Sequence, residues 1–384
     1  MPVRPETITR MEVNLDHIKH NYQQVRRHAA GADLYAVVKS EAYAHGAVPV
    51  AKALAELGCR HWAVALVDEG IQLRRAAIDG EIMVMGATLP AQFTALAEHD
   101  LTPVIPDAAR IQAWAACART AGRQLRYHLK VDVGLGRMGY LPWQGDEAAA
   151  AAEGAAQDLE LAGISGHLNS PGGPEDNNAR EEERFHQFCA PVRERFPLAK
   201  RHLAASQATV RYQRMHLELV RIGGLLYGLQ HVREGGLDLR PAMEFKSAVA
   251  QVRELPAGWH IGYDFRYRVE TPMRMALLPL GWTDIFSTPM LNQADVLIGG
   301  VARRLVGLCT DFAMVDITGG PDVAMGDEVV IVGRQGEAAM SAIELARRGG
   351  ISTGQLLGKI SLRVPRIYLS GGTAVGELSL LRPA

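Results

Sequence analysis

Short apolar runs alternate with amphipathic segments over the first 240 residues of the chain. Eight of these runs have the apolar and β-branched character of strands. They are 34–38, 61–66, 81–86, 101–105, 126–133, 159–167, 199–205 and 217–223. In the segments that separate them, apolar residues recur at helical spacing, as Leu15, Ile18 and Tyr22 do. Alternating strands and helices predict parallel strands joined by crossover helices, and eight strands favour a closed (β/α)8 TIM-type barrel over an open sheet.

The pattern changes after about residue 243. Helical spacing fades there, and short strand-like runs are separated by Gly, Pro and Asp, which is typical of an antiparallel barrel or sandwich. One helix is predicted at 341–350, where it ends on two glycines. We therefore expect two domains of the α/β class: a (β/α)8 barrel over 12–242 and a mainly antiparallel β domain over 243–384. An N-terminal strand, 1–11, is expected to join the β domain.

Composition narrows the class of protein without naming a function. Apolar residues make up 48% of the chain and charged residues 22%, which is the balance of an ordinary globular protein. The formal net charge of −1 gives no electrostatic footprint for nucleic acid or an anionic membrane. The first twenty residues lack the apolar core of a signal peptide, and no run approaches the ~18 apolar residues of a membrane span. We expect a cytoplasmic protein with neither nucleic acid nor membrane as partner.

The four cysteines stand far apart, at 59, 117, 189 and 309. Their spacing matches neither a CxxC pair nor a zinc site with histidine. They are interpreted as reduced thiols of a cytosolic protein, and no metal site is expected.

Residues that could react with a ligand or bind it, through side chains or backbone N–H groups, follow the predicted barrel strands. They are Lys39, Lys130, Asp132, Arg137, His167, Asn169, Ser170, Ser206, Arg221, Gly223 and Gly224. Reactive groups of such barrels sit at the carboxyl ends of the strands, so these residues would converge on one mouth. Any one of them alone is more simply a solvated side chain. Together, basic and hydroxyl groups with few acids favour an anionic ligand, and the Gly223–Gly224 step suits a phosphate.

A lysine at a strand end that is shielded from water has a characteristic catalytic role. Partly desolvated and crowded by positive neighbours, Lys39 would have a lowered pKa and could form a Schiff base with a carbonyl. A phosphate-bearing aldehyde in that place predicts pyridoxal phosphate. The nucleotide alternatives fit less well, because the chain has no GxxxxGK[ST] loop and the glycines of 134–139 are followed by no predicted helix.

Several motifs, in a common order, give the chain a family resemblance. They are AVVKSEAYAHG, LKVDVGLGRMGY, GISGHLNS, VRIGGLLYGL, LPAGWHIGYDFRY, LPLGWTDIF, LCTDFAMVDIT, GDEVVIVGRQG and KISLRVPRIYL. With these motifs the chain resembles the alanine racemase family of fold-type III pyridoxal phosphate enzymes over essentially its whole length.

The resemblance implies two catalytic bases. Lys39 would carry the cofactor and exchange a proton with the substrate α-carbon on one face, and Tyr263 would act on the opposite face. In this family the tyrosine comes from the partner subunit, so the resemblance also implies a head-to-tail homodimer. A racemase needs one base on each face, because the proton leaves one side and returns to the other.

The resemblance also implies the cofactor contacts. Arg221 would face the pyridine nitrogen and, because a guanidinium does not give up its proton, would leave that nitrogen unprotonated. His167 would link Arg221 to Tyr263 and help tune the phenol. The phosphate would be held by four positions: Tyr43, Ser206, Gly223 and Gly224.

Three further residues match substrate positions of the family. Arg137 would contact the cofactor and the substrate carboxylate, and the backbone N–H of Thr310 would bind the same carboxylate. Lys130 matches a position where many members carry a carbamylated lysine that orients this arginine. A simple ion pair of Lys130 with Asp132 is the alternative.

The departures from the family pattern lie around substrate and entrance. The family usually has methionine at Thr310 and tyrosine at Leu362. Trp282 replaces a customary tyrosine, and Gly307 an entrance arginine. Ser40 and Glu41 stand where small or amide residues are preferred.

We therefore predict a pyridoxal phosphate-dependent amino-acid racemase that acts on alanine or a related small amino acid. The alternatives are a racemase of serine or of a larger, non-proteinogenic amino acid, a related fold-type III amino-acid decarboxylase, and a pyridoxal phosphate carrier without enzymatic activity. A decarboxylase would be expected to place an acid, not Arg221, against the pyridine nitrogen.

Overall fold

The chain forms two compact units. The computed structural model describes residues 7–229 and 236–381. The barrel unit consists of Ile18–Ala42 and Ala47–Arg240, and the β unit of the described part of Met1–His17 together with Tyr43–Gly46 and Pro241–Ala384. The short segment Tyr43–Gly46 thus interrupts the barrel unit in sequence and belongs to the β unit.

Eight parallel strands form the wall of the barrel unit. Numbered within the whole chain, they are β2 (Asp33–Val37), β3 (His61–Val64), β4 (Glu81–Val84), β5 (Leu101–Ile105), β6 (Leu125–Lys130), β7 (Leu159–Ser165), β8 (Lys200–His202) and β9 (Leu219–Ile222). They are paired in the order β8-β7-β6-β5-β4-β3-β2-β9. A parallel bridge of Ala205 with Arg221 joins the two ends of this sheet. The predicted (β/α)8 barrel is confirmed, and each predicted run overlaps one strand.

Helices cover the crossovers of the barrel unit. They are Leu15–His28, Ala47–Ala55, Val67–Arg75, Phe93–Glu98, Ala108–Ala121, Gly145–Glu153, Glu175–Arg195 and Ser206–Arg211, with 3-10 turns at Pro90–Gln92, Pro142–Gln144, Gln213–Met215 and Gly224–Tyr227. The helix Ala108–Ala121 shows how the sequence defines them. Asp107 accepts the N–H of Arg110 at its start, Gly122 ends it with φ of 65°, and Trp114 is one of its buried residues.

The β unit is built on a largely antiparallel sheet. Its strands are β1 (Arg10–Asn14), β10 (Met243–Ala248), β11 (Gln251–Leu255), β12 (His260–Ile261), β13 (Tyr267–Arg268), β14 (Met273–Leu278), β15 (Asp295–Ile298), β16 (Val301–Leu308), β17 (Ala313–Asp316), β18 (Glu328–Gln335), β19 (Ala338–Met340), β20 (Arg366–Ser370) and β21 (Thr373–Leu378). Most of them pair in the order β11-β14-β17-β16-β15-β18-β10-β1-β20-β21. The unit also has helices Ala342–Arg348 and Thr353–Gly358 and 3-10 turns Tyr263–Phe265 and Thr288–Met290.

The N-terminal strand and the segment Tyr43–Gly46 are both held by β20 or its neighbours. Strand β1 pairs antiparallel with β10 and parallel with β20. Residues 1–6 of the expected N-terminal strand lie outside the described residues. Buried Arg366 donates to the carbonyl of Ala44 at 3.0 Å. At Gly46, φ is +90°, and a Cβ would lie 2.0 Å from the hydroxyl of Tyr368, so only glycine fits.

None of the helices within 7–229 and 236–381 combines the length and apolar character that crossing a membrane requires.

Candidate active site

The barrel strands carry the candidate site residues to their carboxyl ends. Lys39 follows β2, and Lys130 is the last residue of β6. His167 follows β7, Ser206 begins the helix after β8, and Arg221 lies within β9. Because all eight strands are parallel, these positions share one end of the barrel.

A left-handed turn of the backbone follows Lys39. Five successive non-glycine residues, 40–44, have φ from 52° to 71°. A left-handed helical conformation costs roughly 1–2 kcal/mol per residue, because Cβ crowds the next carbonyl. Such strain persists only where surrounding contacts hold it, and it is common at functional sites.

Two glutamates hold this turn within the barrel unit. Glu69 accepts the backbone N–H of Ser40, and its other oxygen accepts the N–H groups of Ala65 and Leu66 at 2.7 and 3.0 Å. Glu41 accepts the N–H of Ala47 at 3.0 Å and the amide of Gln72 at 2.8 Å. Glu41, noted above as an unusual residue for the family, therefore has a local structural role.

Lys39 lies in an environment that favours its neutral amine. Burial and the nearby charge of Arg137 lower its pKa, while Glu69 opposes the shift. A lysine of this kind is a better nucleophile toward a carbonyl than a solvated one.

Arg221 is buried and held by hydrogen bonds. Its Nη2 donates to the carbonyls of Gly166 and Leu203 at 2.8 and 3.1 Å, and its Nη1 lies 2.6 Å from Nδ1 of His202. Burial and the charge of Arg137 lower the pKa of Arg221 to about 10. Arg221 is thus a protonated, oriented donor at neutral pH.

His167 is neutral and has a defined tautomer. Burial, followed by the charge of Arg221, lowers its pKa to about 3. Its Nδ1 lies 3.3 Å from Nη2 of Arg221. Because a guanidinium only donates, this nitrogen accepts, and the proton of His167 is on Nε2.

Lys130 is buried at the barrel mouth. Its amine donates to the carbonyls of Val131 and Ser165 at 3.1 and 3.3 Å. Burial and then the charges of Arg221 and Arg137 lower its pKa to about 7.

The Asp132 carboxylate accepts hydrogen bonds from the backbone of its own loop. It accepts the backbone N–H groups of Gly134, Gly136 and Arg137 at 2.9, 3.1 and 2.6 Å. It raises the pKa of Lys130 through its charge, but less than burial and the arginines lower it.

The expected phosphate positions within the barrel unit lie together. The N–H of Gly223 donates to Oγ of Ser206 at 3.0 Å, and Gly224 opens the turn Gly224–Tyr227. Tyr43 lies in the β unit, where burial raises the pKa of its phenol.

The residues present fit pyridoxal phosphate. The barrel mouth combines a lysine of lowered pKa with cations that depress one another's pKa values, Arg137 acting on Lys39, Lys130 and Arg221. An anionic group placed among these cations would relieve that repulsion. The hydroxyl of Ser206, which accepts from Gly223 and keeps its own proton to donate, suits its phosphate.

The β unit carries the expected second base on its surface. Tyr263 opens the turn Tyr263–Phe265 and is 59% exposed. Its ring centroid lies 6.1 Å from that of Trp282, and its hydroxyl contacts the thiol of Cys309. A cavity of about 370 Å³ is lined by Tyr263, Trp282 and Gly307, among others.

The departures from the family pattern lie mostly in the same unit. The carbonyl of Thr310 accepts the hydroxyl of Thr283 at 3.0 Å, and Leu362 is 54% exposed. At Gly307, a Cβ would lie 2.5 Å from Ile261 and 2.7 Å from Met314, so the usual arginine would not fit without repacking.

Sequence reasoning missed two sets of functional neighbours. The sequence does not single out Glu69, because the N-cap residue three positions before it is Leu66, whose side chain cannot accept a hydrogen bond. The buried pair of His128 and His202 lay in predicted strands, where only the strand register shows that both point inward.

Groups of histidine, cysteine and carboxylate residues that could bind a metal ion are absent from the part of the chain that the structure describes.

Comparison of this chain with known proteins indicates one family. Residues 13–231 match the family "Alanine racemase, N-terminal domain", and residues 242–368 match "Alanine racemase, C-terminal domain". Alanine racemase of Carboxydothermus hydrogenoformans is 35% identical over 93% of this chain and 98% of that protein. Alanine racemase 2 of Caldanaerobacter subterraneus is 34% identical over 96% of both chains.

Solved structures agree with the sequence relatives. Alanine racemase from D-cycloserine-producing Streptomyces lavendulae has a TM-score of 0.90 at 32% identity, over 96% of this chain and 98% of that one. Alanine racemase from Bacillus anthracis, solved with bound L-Ala-P, has a TM-score of 0.89 at 30% identity over 99% of both. The chain belongs to the alanine racemase family and is a pyridoxal phosphate-dependent amino-acid racemase.

Proposed function

We propose that this enzyme interconverts L- and D-alanine, with Lys39 and Tyr263 as the two bases. The observation that carries the assignment of Lys39 is its partly buried amine at the barrel mouth, with a pKa lowered by burial and by Arg137. The names of the relatives support alanine as substrate. Pyridoxal phosphate, when bound, supplies the electron-withdrawing ring that makes the substrate α-hydrogen acidic.

The proposal gives each site residue a role. Lys39 would hold the cofactor and would take or return the proton on one face of the substrate. Arg221, protonated at neutral pH, would face the pyridine nitrogen and, as a donor only, would leave it unprotonated. Arg137 binds the substrate carboxylate, assisted by the backbone N–H of Thr310. Ser206, Gly223 and Gly224 bind the phosphate together with Tyr43.

Tyr263 moves the proton on the opposite face. The unperturbed pKa of a phenol is near 10, so a base at neutral pH needs a hydrogen-bond partner that stabilises the phenolate. His167 has the required form, because its Nδ1 accepts from Arg221 and its Nε2 carries a proton to donate.

The active form proposed here is a homodimer in the cytoplasm. Tyr263 and its neighbour Phe265 are 59% and 77% exposed, and large exposed apolar side chains of this kind commonly mark an interface. Cys59, Cys117, Cys189 and Cys309 are free thiols, which suits a reducing compartment.

Exchange of the α-hydrogen tests the function directly. The enzyme loaded with pyridoxal phosphate is incubated with L-alanine in D₂O, and chiral chromatography and NMR follow the products. We expect both enantiomers, each deuterated at the α-carbon. Lys39→Ala should lose the visible band of the bound cofactor, whereas Tyr263→Phe should keep the band and lose turnover. Release of CO₂ instead would indicate a decarboxylase, and failure to exchange with any common amino acid would contradict the proposal.

Serine is the second candidate substrate. Thr310 and the exposed Leu362 leave a more polar and less covered gate than the methionine and tyrosine of the family. The same assay with L-serine compares the two substrates by their kcat/KM values.

A further inference from the structure

A continuous line of polar side chains crosses the interior of the barrel unit. Nη1 of Arg221 lies 2.6 Å from Nδ1 of His202, and Nε2 of His202 lies 2.9 Å from Nδ1 of His128. Nε2 of His128 then lies 3.0 Å from Oε1 of Glu81. We call these four residues the polar relay. It links β9, β8, β6 and β4, and it ends at the first residue of β4.

The relay lies out of contact with bulk water for most of its length. His128, His202 and Arg221 are 1%, 0% and 4% exposed. The edge of the Tyr35 ring packs against His128. Each hydrogen bond within the relay therefore has no competing water, and a missing partner would leave a buried polar atom unsatisfied.

The direction of every hydrogen bond in the relay follows from one fact. A guanidinium has donors only, so Nδ1 of His202 must accept from Arg221 and its proton must be on Nε2. That proton is donated to Nδ1 of His128, which leaves the His128 proton on Nε2. This last proton is donated to the carboxylate of Glu81, which only accepts. Donation thus runs in one direction, from Arg221 to Glu81.

The same logic excludes a second proton on either imidazole. A proton on Nδ1 of His202 would face the N–H of Arg221, and a proton on Nδ1 of His128 would face the N–H of His202. Burial, followed by the charge of Arg221, holds the pKa of His202 well below its ordinary value, in agreement with this reasoning.

Glu81 is the fixed end of the relay. Its second oxygen accepts from Nη1 of Arg126 at 3.1 Å, and it also contacts the hydroxyl of Tyr35. Burial alone would raise its pKa, but the hydrogen bond from His128, the charge of Arg126 and the hydrogen bond from Tyr35 lower it below its usual range. Glu81 is therefore a carboxylate at any working pH. It borders a cavity of about 260 Å³, whose lining also includes Arg60 and Lys200.

We propose that Glu81, His128 and His202 are positioning residues that fix the orientation of the Arg221 guanidinium from the opposite end of the barrel. The proposal rests on the proposed role of Arg221 toward the pyridine nitrogen. Rotation of Arg221 away from His202 would leave Nδ1 of that histidine without a donor. The relay thus makes one orientation of the guanidinium more favourable than others.

Replacement of Glu81 by glutamine should weaken the relay. The amide has one acceptor oxygen, and both Arg126 and His128 need one. If the amide NH₂ faces His128, that histidine must accept on Nε2 and carry its proton on Nδ1, where it meets the N–H of His202. If the amide oxygen faces His128, the relay keeps its direction but ends on a neutral, weaker acceptor, and the NH₂ faces the N–H of Arg126. Glu81→Gln therefore cannot satisfy Arg126, His128, His202 and Arg221 together.

The chain offers a matched control at the edge of the same cluster. Glu160 also pairs with Arg126, through Nε at 3.2 Å, but its side chain is 52% exposed and it contacts neither relay histidine. Glu160→Gln removes the same charge from the same arginine without touching the relay. Glu81→Asp keeps the charge and one acceptor for His128, and serves as the conservative variant.

The test reads histidine protonation in the cofactor-loaded enzyme by long-range ¹⁵N–¹H correlation. We expect both His128 and His202 to carry their proton on Nε2 and none on Nδ1, and this result does not depend on turnover. Glu81→Gln should shift the ring nitrogens of both, change the visible band of the cofactor and lower kcat about ten-fold with little change in KM. Glu81→Asp should recover part of kcat, and Glu160→Gln should match the wild type.

Two results would overturn the proposal. One is a proton on Nδ1 of His128 or His202 in the wild type, which is measurable even if Glu81→Gln fails to fold. The other is a cofactor band and kcat in Glu81→Gln that equal those of Glu160→Gln. An enzyme inactive toward alanine but with the expected tautomers would contradict the substrate assignment alone.

Discussion

Lys130 is a buried amine whose pKa is lowered towards neutrality. An ordinary lysine, with a pKa near 10.4, is neutral in roughly one molecule in 2,500 at pH 7. Burial and the charges of Arg221 and Arg137 lower the pKa of Lys130 to about 7. Carbon dioxide reacts only with the neutral amine, and the new N–C bond forms with loss of one amine proton to solvent. The resulting carbamate would be negative, so it would attract the same arginines that repel the ammonium. We propose on this basis that Lys130 is carbamylated and orients Arg137.

The carbamate of Lys130 should follow the titration of the amine. Because the folded pKa is lowered, the neutral amine is present above about pH 7 and lost as the pH falls through that value. With ¹³C-bicarbonate, a carbamate resonance should therefore appear at pH 8 and fade below pH 7. Lys130→Met should lack the resonance and should have a higher KM for alanine. A resonance of equal intensity in Lys130→Met would contradict the assignment.

Thr310 and Leu362 are the residues that we expect to set the choice of substrate. Restoring the family residue in Thr310→Met adds apolar volume beside the place proposed for the substrate carboxylate. A change of this size in a pocket is worth roughly ten-fold in discrimination. We expect the ratio of kcat/KM for L-serine over L-alanine to fall by about that factor.

The control for this substitution is Thr373→Met. Thr373 is exposed in the β20–β21 hairpin of the same unit, so the added volume meets solvent instead of substrate. If both variants change the ratio equally, Thr310 does not determine specificity.

At the scale of elements, the strands were predictable and the left-handed turn was not. Runs of five to nine residues predicted all eight barrel strands, because each strand is buried in a sheet covered by helices. The turn at 40–44 has no glycine, the usual sequence signal for positive φ. It is held by Glu41 and Glu69, whose contacts depend on the folded barrel.

A glycine in that turn should relieve strain. Ser40 has φ of 53°, which glycine adopts without the crowding of Cβ. Ser40→Gly should be more stable than Ser40→Ala by about 1 kcal/mol, although glycine ordinarily loses such a comparison. Thermal midpoints in one buffer measure the difference. The control is Ala116→Gly within the helix Ala108–Ala121, where glycine should destabilise the protein by about the same amount. A thermal midpoint of Ser40→Ala equal to or above that of Ser40→Gly would show that the turn is not strained.

At the scale of the whole molecule, the sequence indicates which residues lie at the strand ends but not what they contact. Lys39, His167 and Arg221 lie at or near the ends of barrel strands, which can be predicted from apolar runs. The polar relay could not be found in this way, because Glu81, His128 and His202 come from strands 47 to 74 residues apart. That Tyr43–Gly46 belongs to the β unit was equally hidden, since four residues carry no periodicity.

The two proposed bases lie in different units of the chain, Lys39 in the barrel unit and Tyr263 in the β unit. If each active site takes its tyrosine from the partner subunit, two inactive variants should complement each other. In a mixed dimer of Lys39→Ala and Tyr263→Phe, one site has both changes and the other has neither. Random reassociation of equal amounts should restore about one quarter of wild-type activity, because half of the dimers are mixed and each has one intact site.

This complementation requires subunit exchange, so the variants are mixed in mild denaturant and refolded, and each alone is treated in the same way. The control pairs Lys39→Ala with a double variant carrying both changes, which yields no intact site in any dimer. Restored activity in the first mixture and none in the control would support the shared site. Differently tagged chains show whether subunits have exchanged. If they have exchanged and neither mixture is active, then Lys39 and Tyr263 of one chain serve the same site. The exposure of Tyr263 would then need another explanation than a shared active site.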